Sequence, residues 1–220
     1  MDKRVQDALH FSTEQFAEAE NISPANFLSS LEAVFNSGET FIEKVSALDK
    51  VFDENEALNP LREVYFDLLL INFFTEDVKK LEEDYLDSPE WEEIEEGTLE
   101  RGTELLNVLL YLRECDDEDI EPELEDYLKE FLLVEEDEFQ DEHRIYEDVI
   151  ANQILTDSSY EEIARTAQKL DKESELKELF YPLMSFFHEQ NPAQEDLEEF
   201  KIYSSQKSFD VAIYTLLTNY

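Results

Sequence analysis

The amino-acid sequence predicts an all-α fold, arranged either as a multi-helix bundle or as a short array of helical hairpins. Glycine is scarce, with 3 residues among 220, whereas strand-rich folds need glycine-bearing turns at short intervals. Apolar residues recur at the helical spacing along nearly the whole chain. Hydrophobic residues make up 42% and aromatic residues 12% of the chain, which is enough for a packed core and excludes a disordered acidic tail.

Apolar periodicity and helix-breaking residues divide the chain into about eleven or twelve helices. The predicted helices lie at about 2–20, 24–36, 41–52, 60–74, 76–85, 89–114, 122–132, 138–156, 160–170, 176–187, 193–204 and 208–218. No repeated side-chain signature of the tetratricopeptide or ankyrin type accompanies them, so the bundle and the hairpin array both stay open. The prediction is a single domain over residues 1–220, in which any subdivision would fall near 115–122.

Helix starts in the first part of the chain are predicted from capping residues. Ser23 precedes Pro24, which is typical of an N-cap followed by proline at the first helical position. Asn59–Pro60 begins a helix in which residues 64–74 are apolar almost all round, as in a helix at the centre of a packed domain. Thr75 is expected to cap the short helix that follows.

Similar signals place the later helices. Ser88–Pro89 opens a helix that is expected to run to about Glu114, and residues 116–122 then form an acidic linker. Pro122 begins the next helix. Farther along the chain, Ser158 or Ser159 is expected to cap the helix near 160–170.

The charge of the chain is its most unusual property. Asp and Glu number 58 and Lys and Arg number 17, for a net charge of -41. Residues 76–148 hold 31 acidic and 6 basic residues, so this third of the chain carries -25 of that total. Self-repulsion on this scale opposes compaction, and a basic partner would offset it.

Two acidic clusters in this middle third are candidate docking surfaces, with a third at 135–138. In one cluster, which runs from Glu92 to Glu104, four glutamates are spaced four residues apart, so in a continuous helix they would be neighbours on one face. The other cluster, at 116–119, continues into Glu121, Glu123, Glu125 and Asp126. Aromatic residues nearby are candidate anchors, because binding hot spots favour them. The candidate partner-binding residues are Glu92, Glu96, Glu100, Glu104, Asp116, Asp117, Glu118, Asp119, Tyr85, Trp91 and Tyr127.

No motif in the sequence predicts a catalytic, cofactor or metal site. Gly97 and Gly102 have the spacing of a phosphate loop, but Thr103 stands where that loop needs lysine; the structural alternative is a break in the helix near Gly97. The histidines form neither a Glu-x-x-His nor a His-Glu-x-x-His pattern. One enzymatic alternative stays open, in which His143 or His188 combines with carboxylates in a cleft to act in catalysis or to bind a metal.

The leading hypothesis is a non-enzymatic protein that binds a basic partner protein through its carboxylate-rich surface, as a nucleic-acid mimic or as an adaptor or chaperone. A third interpretation is a helical protein whose acidic surface only solvates it. Direct nucleic-acid binding is disfavoured because Lys and Arg are not clustered. We expect a cytoplasmic location without membrane insertion, since the single cysteine allows no internal disulfide and no apolar run reaches membrane-spanning length.

Overall fold

The computed structural model describes residues 1–76, 80, 83–132, 145–174 and 176–220. Within these ranges the chain forms thirteen α-helices and two 3-10 helices and contains no β-strand, which confirms the all-α class. The α-helices are α1 (Lys3–Glu20), α2 (Ala25–Phe35), α3 (Phe41–Asp53), α4 (Arg62–Glu76), α5 (Glu83–Leu86), α6 (Pro89–Thr98), α7 (Leu105–Glu118), α8 (Leu124–Leu132), α9 (Glu147–Ala151), α10 (Tyr160–Ala167), α11 (Phe180–His188), α12 (Gln194–Tyr203) and α13 (Lys207–Thr218). The 3-10 helices are Glu56–Leu61 and Gln153–Asp157.

The chain separates into two compact units, Met1–Leu106 and Asn107–Tyr220. The boundary lies inside α7 rather than near 115–122, where the sequence suggested it. The single-domain arrangement, and the choice between a bundle and a hairpin array, stay predictions. No helix in the described ranges is long and apolar enough to cross a membrane.

Helix α4 forms the centre of the first unit, as its apolar sequence predicts. Every side chain from Val64 to Asn72 is buried, and α1 and α3 pack against the helix. Among these side chains, Tyr65 brings a hydroxyl into the core, and this hydroxyl hydrogen-bonds to Ser12 Oγ at 2.9 Å and Thr13 Oγ1 at 2.6 Å. Burial raises the pKa of Tyr65 to about 12, so the phenol stays neutral and satisfies both hydroxyl groups of α1.

Two of the predicted helix caps form. Ser88 Oγ accepts from the Trp91 N–H at 3.2 Å and Ser159 Oγ accepts from the Glu162 N–H at 3.4 Å, which resolves the choice between Ser158 and Ser159. Two others were wrong. No side-chain hydrogen bond caps α2, which begins at Ala25, and Thr75 lies inside α4 instead of before a new helix.

The prediction of one long helix from Pro89 to Glu114 was wrong. Helix α6 ends at Thr98 and α7 begins only at Leu105. In between, the N–H of Gly102 donates to Glu63 and the N–H and hydroxyl of Thr103 donate to Asp67. Acceptors on α4 therefore replace the helical hydrogen bonds that an unbroken helix would make. Gly102 has φ +89°, and a Cβ there would lie 2.6 Å from Asp67 Oδ1, so this turn requires glycine.

The second unit has an aromatic core at its C-terminal end. Phe200 on α12 stacks between Tyr181 on α11 and Tyr214 on α13, with ring centroids 4.6 and 4.5 Å apart. The last two helices begin and end within one residue of their predicted bounds. Helix α11 begins at Phe180 rather than at 176, and α7 extends to Glu118, which shortens the expected acidic linker to 119–123. The predicted helix 138–156 is only partly covered, because residues 133–144 lie outside the described ranges.

Candidate acidic binding cleft

The first predicted cluster does not form a continuous row of carboxylates. Glu92 and Glu96 are exposed on α6, but Glu100 lies beyond the end of that helix and Glu104 is half-buried just before α7. The expected four-residue register along one helix face was therefore wrong. Its physical cause is the turn at Gly102, which redirects the chain between Glu100 and Glu104.

The second predicted cluster lies at the end of α7. Asp116, Asp117 and Glu118 occupy its last turn and Asp119 follows it with φ 57°; all four side chains are exposed. The C-terminus of a helix carries partial negative charge, so each carboxylate there is unfavourable by about 0.3–1 kcal/mol. The last turn contains no basic residue, although Arg113 Nε on the preceding turn lies 3.9 Å from Asp117. Cations would stabilise this helix end.

Of the three predicted aromatic anchors, one is fully buried and two are half-buried. Tyr127 is 0% exposed and its hydroxyl donates to Tyr146 Oη at 3.1 Å, so its assignment as a surface anchor was wrong. Its position on the inner face of the amphipathic helix α8 explains this burial. Trp91 and Tyr85 are half-buried; Trp91 packs on Phe74 with ring centroids 5.4 Å apart.

A cleft of about 640 Å³ in the second unit brings carboxylates from three segments together. Its acidic lining residues are Glu121, Glu123, Glu125, Asp157 and Glu189, and no Lys or Arg occurs among the described residues that line it. We call this the acidic cleft. Asp157 and Glu189 were not predicted as site residues, because nothing in their local sequence links them to residues 121–125.

The wall of the acidic cleft is held in place by hydrogen bonds between side chains and the backbone. Tyr111 Oη on α7 donates to the Glu123 carbonyl at 3.0 Å and accepts from the Glu123 N–H at 2.9 Å. Burial raises the pKa of Tyr111, so its hydroxyl stays protonated and keeps its donor. Gln190 Nε2 donates to the Pro122 carbonyl at 2.6 Å. The backbone between α7 and α8 is thereby held from both sides, which fixes where Glu121 and Glu123 leave the chain.

The cleft carboxylates differ in their charge partners. Glu125 pairs with Lys129 Nζ at 2.7 Å, and that hydrogen bond lowers the pKa of Glu125. Glu189 accepts from the Asn191 N–H at 2.8 Å. Glu121, Glu123 and Asp157 make no ion pair with any described residue. These three carboxylates give the cleft uncompensated negative charge.

His188 also lines the cleft. Its Nδ1 lies 2.9 Å from the Thr156 carbonyl, which can only accept, so Nδ1 carries a proton and donates to it. Within the described ranges no group of three His, Cys, Asp or Glu side chains is close enough to hold a metal ion. His143, the other histidine of the enzymatic alternative, lies outside the described residues.

No family model, curated protein or solved structure matches this chain. Any function must therefore be argued from the site itself.

Proposed function

We propose that the protein is a non-enzymatic binding protein and that the acidic cleft takes up a basic segment of a partner protein. The observation that carries this proposal is the cleft lining, in which five carboxylates and, among the described residues, no Lys or Arg surround about 640 Å³ of space. Lys or Arg side chains entering this space would compensate Glu121, Glu123 and Asp157. Complementary charge of this kind accelerates association and selects the partner.

An exposed apolar side chain lines the same cleft and adds a second requirement for the partner. Ile154 lines the cleft and is 77% exposed, and Ile150 on α9 is exposed one turn earlier. An apolar contact next to charged groups is typical of protein–protein interfaces, which combine apolar anchors with a polar rim. A partner segment with both basic and apolar residues therefore fits better than a purely ionic one.

We favour an adaptor or chaperone for a basic client over a nucleic-acid mimic. A mimic of the phosphate backbone depends on regularly spaced carboxylates, and the break between Thr98 and Leu105 interrupts the row that the sequence suggested. A concave site suits a short chain segment. We propose a cytoplasmic location, since the only cysteine, Cys115, is a buried free thiol.

The proposal is tested by titrating the full-length chain with a fluorescent decalysine peptide at 50 and 500 mM salt. The cleft variant Glu121→Gln/Glu123→Gln/Asp157→Asn is compared with the control Glu14→Gln/Glu20→Gln/Glu39→Gln, whose three exposed glutamates do not line the cleft. Both variants remove the same charge. We expect the cleft variant to weaken binding by about tenfold and the control by less than about twofold. Equal weakening in both, or binding that is indifferent to salt, would overturn the proposal.

A further inference from the structure

A second concave region, here called the hollow, lies next to the acidic cleft. It has a volume of about 340 Å³, and its lining combines polar side chains with the apolar residues Leu112, Cys115, Phe186 and Leu217, which are themselves buried. Pro122, Gln190 and Asn191 line both the hollow and the cleft, so the two regions adjoin at these residues. A single extended segment crossing 119–123 could reach both regions.

The rim of the hollow combines an exposed apolar residue with unfavourably placed negative charge. Ile120 lines the hollow and is 49% exposed, although it follows directly on a helix whose Leu112 and Cys115 face the same space. The Ile120 N–H donates to the Cys115 carbonyl at 2.9 Å and the Asp119 N–H donates to the Asp116 carbonyl at 3.2 Å, which fixes this end of α7. Asp116 also lines the hollow, and no Lys or Arg is among its described lining residues.

We propose that the hollow receives an apolar side chain of the same basic partner segment, packed against the exposed Ile120. Lys or Arg residues beside that side chain then face Asp116–Asp119 and the negative end of α7. The proposal rests on the proposed function, because it assigns a second contact to the segment bound in the acidic cleft. It commits to one partner chemistry, a short peptide segment in which apolar residues alternate with basic ones.

Charge complementarity supports this occupant, and Ile120 provides an apolar contact for it. A cation at the C-terminus of a helix is favoured by the helix dipole, and here four exposed carboxylates strengthen that preference. An apolar side chain in the hollow would cover Ile120 and bury apolar surface that is otherwise open to water. An acidic peptide or an anionic lipid surface would be repelled by the same carboxylates.

The test uses two synthetic peptides with equal numbers of lysines, one with leucine and the other with serine at the intervening positions. Each is titrated into the full-length chain, into Ile120→Ser and into the control Ile202→Ser. Ile202 is 69% exposed on α12 and lines neither the cleft nor the hollow. We expect the leucine peptide to bind about tenfold more tightly than the serine peptide, and this preference to fall below about threefold in Ile120→Ser alone.

Comparison of the two peptides distinguishes failure of the hollow from failure of the proposed function. Suppose that both peptides bind with equal affinity while binding still depends on salt and is still weakened in the cleft variant. That result would overturn the assignment of the hollow and leave the proposed function standing. Failure of both peptides to bind would overturn the proposed function and the hollow together.

Discussion

Asp67 places a carboxyl group in the centre of the first unit. Its side chain is 0% exposed and accepts hydrogen bonds from the N–H and the hydroxyl of Thr103. Burial nevertheless raises the pKa of Asp67 well above its usual range, and the Thr103 hydrogen bonds offset this only in part. The pKa of Asp210 in the second unit is also raised by burial, although Ser204 and Gln206 donate to it.

The raised pKa of Asp67 predicts a particular dependence of stability on pH. The folded state holds the proton more tightly than the unfolded state, so the stabilisation is fully present below the unfolded pKa of about 3.9. It is lost as pH rises through the folded pKa. In Asp67→Asn this contribution is absent, and we expect the free energy of unfolding to fall less steeply between pH 4 and pH 8 than in the unmodified chain.

Urea denaturation at several pH values measures this, since urea does not screen charge as guanidinium chloride does. Glu39→Gln is the matched control. Because Glu39 is exposed, this substitution should leave the pH dependence of the free energy of unfolding unchanged. A steeper fall in Asp67→Asn than in the unmodified chain would contradict the argument.

At the scale of elements, Arg101 determines how the segment between α6 and α7 is attached. Its Nε donates to Glu63 on α4, and its two terminal nitrogens donate to the two oxygens of Asp49 on α3, each at 3.1 Å. The guanidinium group also lies over the Phe66 ring, 5.0 Å from its centroid. One side chain thus connects three elements through a planar fork that lysine does not reproduce.

Arg101→Lys should therefore destabilise the first unit although it keeps the charge. The side chain is 20% exposed, so we expect a loss of about 1–3 kcal/mol in the free energy of unfolding. The control is Arg165→Lys, whose i,i+4 pair with Glu161 is exposed and should cost less than about 0.5 kcal/mol. Urea denaturation of both variants provides the comparison, and equal effects would show that the network around Arg101 contributes no more than a surface pair.

At the scale of the whole molecule, the net charge of -41 should make stability depend on salt. At physiological ionic strength, repulsion between exposed carboxylates more than about 8 Å apart is largely screened, and this distance shortens as salt increases. We expect the melting temperature to rise by several degrees between 20 and 500 mM NaCl, at about 2–4 °C per kcal/mol for a chain of this length.

Sodium chloride and sodium perchlorate at equal ionic strength separate screening from ion-specific effects, because perchlorate weakens rather than strengthens apolar burial. A similar initial rise in both salts supports screening. A melting temperature that is unchanged by NaCl would mean that the acidic surface does not oppose folding, and that a basic partner would relieve no repulsion.

Features that depend on neighbouring residues in the chain could be predicted from the sequence. The apolar segment 64–74 predicted the buried helix α4, Ser88 and Ser159 predicted two helix caps, and the last two helices have nearly their expected bounds. Each of these is determined by helical periodicity or by a capping hydrogen bond across three residues. The all-α class follows from the same local information.

Features that depend on distant residues could be found only in the tertiary structure. The break between Thr98 and Leu105 exists because Glu63 and Asp67 on α4 accept hydrogen bonds from Gly102 and Thr103. The acidic cleft likewise forms because folding brings Asp157 and Glu189 to the segment 121–125. The sequence by itself determined the excess of negative charge through its composition and the helices through their local periodicity. Packing decided where the helix from Pro89 ends and which carboxylates share a site, because those contacts join residues more than thirty positions apart.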